Sequence, residues 1–220
     1  MSEREELKRA PRSVAPRRGG RPARLSRAAI FAAAIELIEA SGADALTMRA
    51  LADGLGVEAM SLYRHVASRE ALLDGIAGQL LSKIEPRGVS SDWAAAVRGY
   101  ASSVRGLART HPEAFALVAY RAPESAGALQ PVEDLLASLR AAGFTPARAV
   151  GVYRLVAAYT RGYVLAEISG FALDEQALGQ SARLPSIHAL ARQLTGEPGN
   201  GSFRAGLETI INGLRAEREP

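Results

Sequence analysis

Apolar side chains recur at spacings of three and four residues along nearly the whole chain after Ser26. In the first such segment Ile30, Ala34, Leu37 and Ile38 fall on one face. This period is typical of amphipathic helices, whereas strict alternation would indicate strands, and we find no convincing alternating segment. The pattern therefore predicts an all-α fold.

Capping residues divide the periodic pattern into separate helices. Ser26, Thr47, Ser68, Asp92 and Thr145 each precede an apolar run, as helix N-caps do. Glycine or proline follows most of these runs and ends them. The pattern predicts helices over residues 27–40, 48–54, 58–65, 69–85, 93–110, 112–121, 127–142, 146–169, 186–194 and 203–214, with a loop over 170–185 and a turn over 197–201.

Changes in composition predict the domain organisation. Residues 1–24 are rich in Pro, Gly and Arg and have no apolar period, which predicts a disordered basic arm. Pro86 and Gly88 end the fourth helix and mark a boundary between two helical domains. These domains are predicted to span residues 25–85 and 90–218.

Several classes of protein are excluded or made improbable by composition. The chain has no Cys and only three His, so thiolate chemistry is excluded and an imidazole-rich metal site is not expected. No apolar run approaches the roughly 18 residues that span a bilayer. No catalytic constellation stands out. We therefore expect a cytoplasmic protein that is not an enzyme, uses no metal or cofactor, and has no membrane partner.

Positive charge is concentrated at the start of the chain. Residues 1–30 hold nine basic and three acidic side chains, whereas the remainder holds 18 basic and 20 acidic ones. A basic arm ahead of a near-neutral body indicates a polyanionic partner such as nucleic acid. The alternative is a solvated tail with no binding role.

The segment 47–76, TMRALADGLGVEAMSLYRHVASREALLDGI, predicts two short helices that meet at Gly56. Glycine is suited to that turn because a positive φ costs it little. Leu51 and Leu62 would pack the two helices together, which is typical of a helix-turn-helix whose second helix enters the DNA major groove. That second helix would present outward Ala59, Met60, Ser61, Tyr63, Arg64 and His65. The alternative is an ordinary helical hairpin with a polar face.

These residues resemble the DNA-binding domain of the tetracycline-repressor (TetR) family of bacterial regulators. The similarity covers about residues 25–80 and rests on IEASGADALTMRALADGLGV followed by SLYRHVASREALLDGI. Beyond residue 90, LRAAGFTPARAVGVYRLVAAYTRGYVLAE and FRAGLETIINGL are similar to the ligand and dimer domain of the tetracycline-repressor subgroup. The resemblance implies a helix-turn-helix domain of three to four helices and a helical domain for ligand binding and dimerisation.

The resemblance also implies roles for individual residues. Thr47 and Arg69 would contact phosphate, Arg49 would reach DNA from the second helix, and Tyr63 and His65 would fix register on the backbone. Arg64 stands where the subgroup often has an aromatic residue, and arginine commonly reads guanine. For Thr47 and His65 the alternative is plain capping and packing. The predicted DNA-binding set is Thr47, Arg49, Ala59, Met60, Ser61, Tyr63, Arg64, His65 and Arg69.

For the second domain the resemblance implies a dimer and a ligand pocket. The dimer would be a four-helix bundle formed by residues 146–169 and the last helix of each chain, with Val150, Ala157, Val164, Phe203, Leu207, Ile210 and Leu214 at the seam. Intramolecular packing is the alternative. Pockets in helical bundles are mostly apolar with a few polar groups, and the candidate pocket residues are Trp93, Tyr100, Phe115, Val118, Leu135, Leu139, Tyr153 and Arg161. For each of them the alternative is a place in the core or on the surface. Val118 stands where tetracycline-binding members have a metal-binding His, which argues against magnesium–tetracycline as the ligand.

Together these observations predict a homodimeric, sequence-specific transcriptional regulator of the bacterial nucleoid. We expect a repressor that an unidentified small molecule releases from a palindromic stretch of double-stranded DNA. The alternatives are an activator, a regulator that answers to no ligand, and an architectural DNA-binding protein without sequence preference.

Overall fold

The computed structural model describes residues 25–85, 87–122, 125–170, 184–195 and 200–217. The predicted arm, residues 1–24, lies outside the described residues, as do residues 171–183 of the predicted loop and most of the predicted turn. The described part of the chain contains ten α-helices and no strand. The all-α prediction is confirmed.

The helices follow the predicted order along the chain. A single 3₁₀ turn, Ala43–Ala45, links the first two. The bounds are α1 Arg27–Ser41, α2 Met48–Leu55, α3 Ala59–Tyr63, α4 Arg69–Leu81, α5 Trp93–Thr110, α6 Pro112–Val118, α7 Ala126–Ala141, α8 Pro146–Ser169, α9 Pro185–Thr195 and α10 Asn200–Ala216.

The predicted N-caps are confirmed by their hydrogen bonds. Ser26, Thr47, Ser68 and Thr145 each accept the backbone N–H three residues ahead through the side-chain hydroxyl. Asp92 accepts two backbone N–H groups at the start of α5. These side chains satisfy donors that a helix leaves unpaired, so each start is encoded locally.

Several helix ends differ from the prediction. The third helix ends at Tyr63, so Arg64 and His65 follow it in a turn. The fourth ends at Leu81, and the Ser82 hydroxyl then donates to the Gln79 carbonyl. α6 ends at Val118. Apolar spacing continues through such a final turn, which is why periodicity alone overestimates the length.

α4 connects the two halves of the molecule. It packs against α1 in the first half and against α6 and α7 in the second, and α1 also contacts α6. One continuous cluster of buried apolar side chains runs through both halves. The two halves therefore share one buried apolar core.

None of the helices in the described ranges is long and apolar enough to cross a membrane.

A close approach of α1 to α4 depends on Gly75. A Cβ atom there would lie 2.0 Å from the Phe31 ring. We expect Gly75→Ala to lower the free energy of unfolding by about 1–3 kcal/mol, because the ring must leave its position. Urea unfolding measures this. Gly106→Ala is the matched control, since a Cβ there meets nothing within 4 Å. Equal effects of the two substitutions would contradict the prediction.

Candidate nucleic-acid interface and ligand cavities

The turn between α2 and α3 has the geometry that the sequence predicts. Gly56 adopts a left-handed conformation with φ of +66°, and its N–H is bonded to the carbonyls of Ala52 and Asp53. Leu51 and Leu62 are buried, one on each helix. The two helices are therefore held together by an apolar contact and a tight glycine turn.

α3 presents an exposed face that the protein itself does not cover. Met60 is 70% exposed and Tyr63 is 46% exposed, while Leu62 between them is fully buried. Arg64 is exposed just beyond the helix end, whereas Ala59, Ser61 and His65 are partly buried. Exposed Met and Tyr beside an arginine are characteristic of a binding surface rather than a solvated face.

The other predicted DNA contacts lie at helix starts. The Thr47 hydroxyl accepts the Ala50 N–H at 3.0 Å, which confirms its capping role. A hydroxyl that accepts one bond can still donate its own hydrogen to a phosphate oxygen. Thr47, Arg49 and Arg69 are all exposed. Capping and phosphate contact are therefore compatible at Thr47.

A small enclosed cavity lies where α4, α5, α6 and α8 meet. Its volume is about 20 Å³. The structure brings four of the predicted pocket residues to its wall: Tyr100, Phe115, Val118 and Arg161. The α4 side of this wall, formed by Leu80 and Leu81, was not predicted, because the apolar spacing of these residues indicated only a core.

A second, more open cavity of about 220 Å³ lies between α5, α7 and the segment that joins α4 to α5. Tyr100 borders both cavities, and Leu135 lines the larger one. Tyr153 meets the Tyr100 ring edge-on, with centroids 6.1 Å apart. Burial raises the pKa of Tyr100, so its hydroxyl stays protonated.

Three predicted pocket residues line neither of these cavities: Trp93, Leu139 and Tyr153, the last of which packs against the Tyr100 ring. Trp93 packs edge-on against Phe144, with ring centroids 5.2 Å apart. Leu139 is fully buried in the apolar core. Trp93 and Leu139 are core residues here, because an inward apolar face on a helix can meet other helices as easily as a pocket.

The segment that joins α4 to α5 is held by a carboxylate that was not among the predicted site residues. Asp134, nearly buried on α7, accepts the backbone N–H groups of Arg87 at 2.9 Å and Gly88 at 2.8 Å. Hydrogen bonds from the Gln130 amide and from these backbone groups lower the pKa of Asp134. The Ser138 hydroxyl accepts the Ser90 N–H at 2.9 Å. The sequence contained one signal for this role, an acidic residue at a position on the buried face of α7.

α6 is tied to the first domain at both ends. At its start, the Glu39 carboxylate of α1 accepts the Ala114 N–H at 2.9 Å. Just past its end, Arg121 forms ion pairs with Glu70 and Asp74 of α4. These contacts were not predicted, because the partners are far apart in sequence.

Most of the predicted dimer residues are buried within the single chain, as the alternative of intramolecular packing expects. The buried set is Ala157, Val164, Phe203, Leu207 and Leu214. The reason is that α10 packs against α5 and α8 of its own chain. Tyr159 donates its hydroxyl to the Phe203 carbonyl at 2.8 Å, and Arg98 forms a bidentate pair with Glu208. Val150 is exposed and Ile210 is partly exposed.

The outward faces of α8 and α10 are formed by other, mostly small residues. On α8 they are Gly151, Leu155, Ala158 and Gly162, and on α10 they are Ala205, Thr209 and Gly213. A Cβ atom at Gly151, Gly162 or Gly213 would meet nothing within 4 Å. These positions leave room for another backbone to approach closely.

Comparison with known proteins agrees with this architecture. The family model for bacterial regulatory proteins of the tetR family matches residues 30–76, and the tetracyclin repressor-like C-terminal domain matches residues 85–218. The tetracycline repressor protein class D of Escherichia coli is 30% identical over 201 residues, which cover 89% of this chain and 91% of that protein.

Solved structures give the same result. The Streptomyces coelicolor TetR family protein ActR in complex with actinorhodin superposes with a TM-score of 0.78 at 27% identity, covering 90% of this chain and 100% of that one. A possible TetR family transcriptional regulator from the same organism gives a TM-score of 0.77 at 29% identity, covering 87% and 99%.

The fold and the exposed α3 face define a helix-turn-helix transcriptional regulator that binds DNA. The C-terminal match alone spans more than half of the sequence, and the chain belongs to the TetR family. The resemblance inferred from the sequence is confirmed. The proteins to which it is similar are transcriptional regulators rather than enzymes.

Proposed function

We propose that this protein is a homodimeric repressor that a small molecule releases from a palindromic operator. The observation that carries the proposal is the exposed face of α3, where Met60 and Tyr63 lie beside Arg64. Its similarity to the tetracycline repressor proteins supports repression, and the ligand-bound structures of ActR support a small-molecule effector. We place its action in the bacterial cytoplasm, at the nucleoid, without catalytic chemistry.

In this proposal α3 reads bases and its surroundings fix the register. Ala59, Met60, Ser61 and Arg64 would face the base edges in the major groove. Thr47, Arg49, Tyr63, His65 and Arg69 would contact the DNA backbone, because hydroxyl and cationic groups bind phosphate whatever the sequence.

The dimer would form through the outward small-residue faces of α8 and α10. Small residues allow two helices to approach closely, and Leu155 supplies an exposed apolar side chain at the centre of the α8 face. Two copies would then place two α3 helices about one DNA turn apart or a multiple of it, which a palindrome requires. Val150 and Ile210 remain candidates for the edges of this interface.

Release would be a shift between two conformations rather than a local change. A ligand that enlarges the cavities around Tyr100 would displace α6, which is tied to α1 and α4. Such a ligand shifts the equilibrium only as far as it binds one state better than the other. The enclosed cavity of about 20 Å³ holds roughly one water, so a regulator without a ligand is the competing proposal. Val118 in its apolar wall offers no ligand for a magnesium–tetracycline complex.

The proposal is tested by selecting bound duplexes from a random-sequence pool with the full-length protein. We expect a short palindrome to be enriched. Uniform recovery of sequences would instead support an architectural protein. Screening for compounds that dissociate the selected duplex then separates a ligand-responsive repressor from a ligand-independent regulator.

Substitution of Arg64 tests whether this residue reads a base in the selected duplex. We expect Arg64→Ala to weaken binding by about 1–3 kcal/mol and to relax the preference at one base pair in each half-site. Fluorescence anisotropy over a panel of single-base variants measures this. The matched control is Arg140→Ala, which removes an arginine from α7. Equal weakening on every duplex would make Arg64 a phosphate contact.

The basic arm, residues 1–24, is expected to contribute to DNA affinity through its positive charge. We expect deletion of residues 1–24 to make the salt dependence of binding shallower by about 0.9 in log–log slope for each phosphate that the arm neutralises. Titration of the selected duplex at several salt concentrations gives the slope. An unchanged slope would show that the arm neutralises no phosphate.

A further inference from the structure

Arg161 stands out among the residues that line the small enclosed cavity. It projects from α8, and its neighbours on the cavity wall are almost entirely apolar or aromatic. They are Leu80, Leu81, Val104, Phe115, Val118, Ala119 and Tyr100. Arg161 is partly buried and supplies the only formal charge on this wall.

Four other arginines of the second domain have carboxylate partners in the described ranges. Arg98 pairs with Glu208, and Arg105 forms a bidentate pair with Glu167. Arg121 and Arg148 are also paired with carboxylates. Arg161 has no ion pair or hydrogen bond with any residue in the described ranges.

An unpaired guanidinium against an apolar wall is unfavourable. A charge removed from water costs free energy unless an opposite charge or hydrogen-bond acceptors compensate it. Arg154, on the same helix, is exposed to solvent, so it carries no such cost. Arg161 is partly buried without a carboxylate partner in the described ranges, so an anionic ligand at the cavity wall would compensate its charge.

We propose that the effector of this regulator is a small molecule with an aromatic or apolar body and one anionic oxygen group, which Arg161 binds. This inference rests on the proposed ligand-responsive function and names the chemical class of its ligand. A carboxylate or an ionised phenol or enol would serve, because each offers oxygen acceptors to the guanidinium. Phe115 and Val118 would contact the apolar body.

Tyr100 supplies the second polar group and the access route. Its hydroxyl remains a neutral donor, and Tyr100, whose ring packs against Tyr153, lines both the enclosed cavity and the larger open one. Rotation of that ring would join the two spaces, about 20 Å³ and 220 Å³, into one pocket. The ligand's anionic end would then lie at Arg161, and its body would extend toward Leu135.

Two fluorescent dyes that differ only in charge test this inference. Anilinonaphthalene sulfonate has an aromatic body with one sulfonate, and N-phenyl-naphthylamine is the same body without it. We expect the full-length protein to bind the sulfonate about ten-fold more tightly than the neutral dye, from one charge-assisted contact. Arg161→Leu should remove this preference while leaving the neutral dye unaffected.

Matched variants separate charge from packing. Arg161→Lys should keep part of the preference, and Arg154→Leu, which removes an exposed arginine from the same helix, should keep all of it. Ala119→Leu fills the enclosed cavity and should weaken both dyes. Circular dichroism checks that each variant is folded.

Three outcomes would overturn the inference: no preference for the sulfonate in the parent protein, equal weakening of both dyes in Arg161→Leu, or no binding of either dye. Binding of the selected duplex is measured separately. Failure of the parent protein to bind DNA with sequence preference would contradict the proposed function, whereas dye selectivity alone decides the charge of the ligand.

Discussion

A glutamate in place of Leu155 is expected to separate the protein into single chains and to abolish tight operator binding. Leu155 is 47% exposed on α8, in line with Gly151, Ala158 and Gly162. If a second copy covers this face, the substitution buries an unpaired charge, which costs several kcal/mol unless the chains separate. A single chain reads one half-site only, so binding at nanomolar concentration should disappear.

Sedimentation and fluorescence anisotropy measure the two consequences of Leu155→Glu. Circular dichroism should show unchanged helix content, because the Leu155 side chain lies on the surface of its own chain and is 47% exposed. Leu129→Glu is the matched control, since Leu129 is 44% exposed on α7, outside the proposed dimer face. A Leu155→Glu protein that sediments as a dimer and binds DNA normally would place the interface elsewhere.

Removal of the Asp134 carboxylate is expected to have the largest effect on stability. Three hydrogen bonds, from the Arg87 N–H, the Gly88 N–H and the Gln130 amide, lose their acceptor in Asp134→Ala. Hydrogen bonds to a charged group are worth about 1.5–3 kcal/mol each, but water can replace part of this at the exposed linker residues. We expect the free energy of unfolding in urea at neutral pH to fall by about 3 kcal/mol.

The pH dependence of this effect follows from the lowered pKa of Asp134. A carboxylate whose pKa is lower in the folded state stabilises the protein above its unfolded pKa, and this contribution is lost as pH falls through the folded pKa. The difference in the free energy of unfolding between the parent protein and Asp134→Ala should therefore be constant near neutral pH and become smaller in acid. Ser138→Ala removes a neutral hydroxyl that accepts the Ser90 N–H and donates to the Asp134 carbonyl. It should lower the free energy of unfolding by less, and its effect should not become smaller in acid. A pH-independent difference for Asp134→Ala would contradict this assignment.

Local sequence signals were sufficient for the helices and for much of the candidate DNA surface. Ser26, Thr47 and Ser68 cap helices through contacts only three residues away, so their role is visible in the sequence itself. Gly56 and Leu62 likewise act within the α2–α3 unit. The candidate pocket residues Phe115 and Val118 were chosen because pockets in helical bundles are mostly apolar, and the structure places both on one cavity wall.

Contacts between distant segments could not be predicted in this way. The apolar stripe of α10 has the same period whether it faces its own chain or a partner, and Phe203 and Leu207 in fact lie in the intramolecular core. The Arg121 ion pairs and the hydrogen bonds from Arg87 and Gly88 to Asp134 join residues about 50 positions apart. Such pairs are determined by how the helices are arranged in three dimensions, which a local period does not specify.

The attachment of α6 at both ends has a thermodynamic consequence. Because Glu39 holds its start and Arg121 fastens its end to α4, a displacement of α6 is transmitted to α1 and α4 together. The DNA-binding domain should therefore move as one rigid body. Coupling of this kind is reciprocal, so whatever factor the effector removes from operator affinity, the operator removes from effector affinity. Promoter occupancy then sets the effector concentration at which the switch responds.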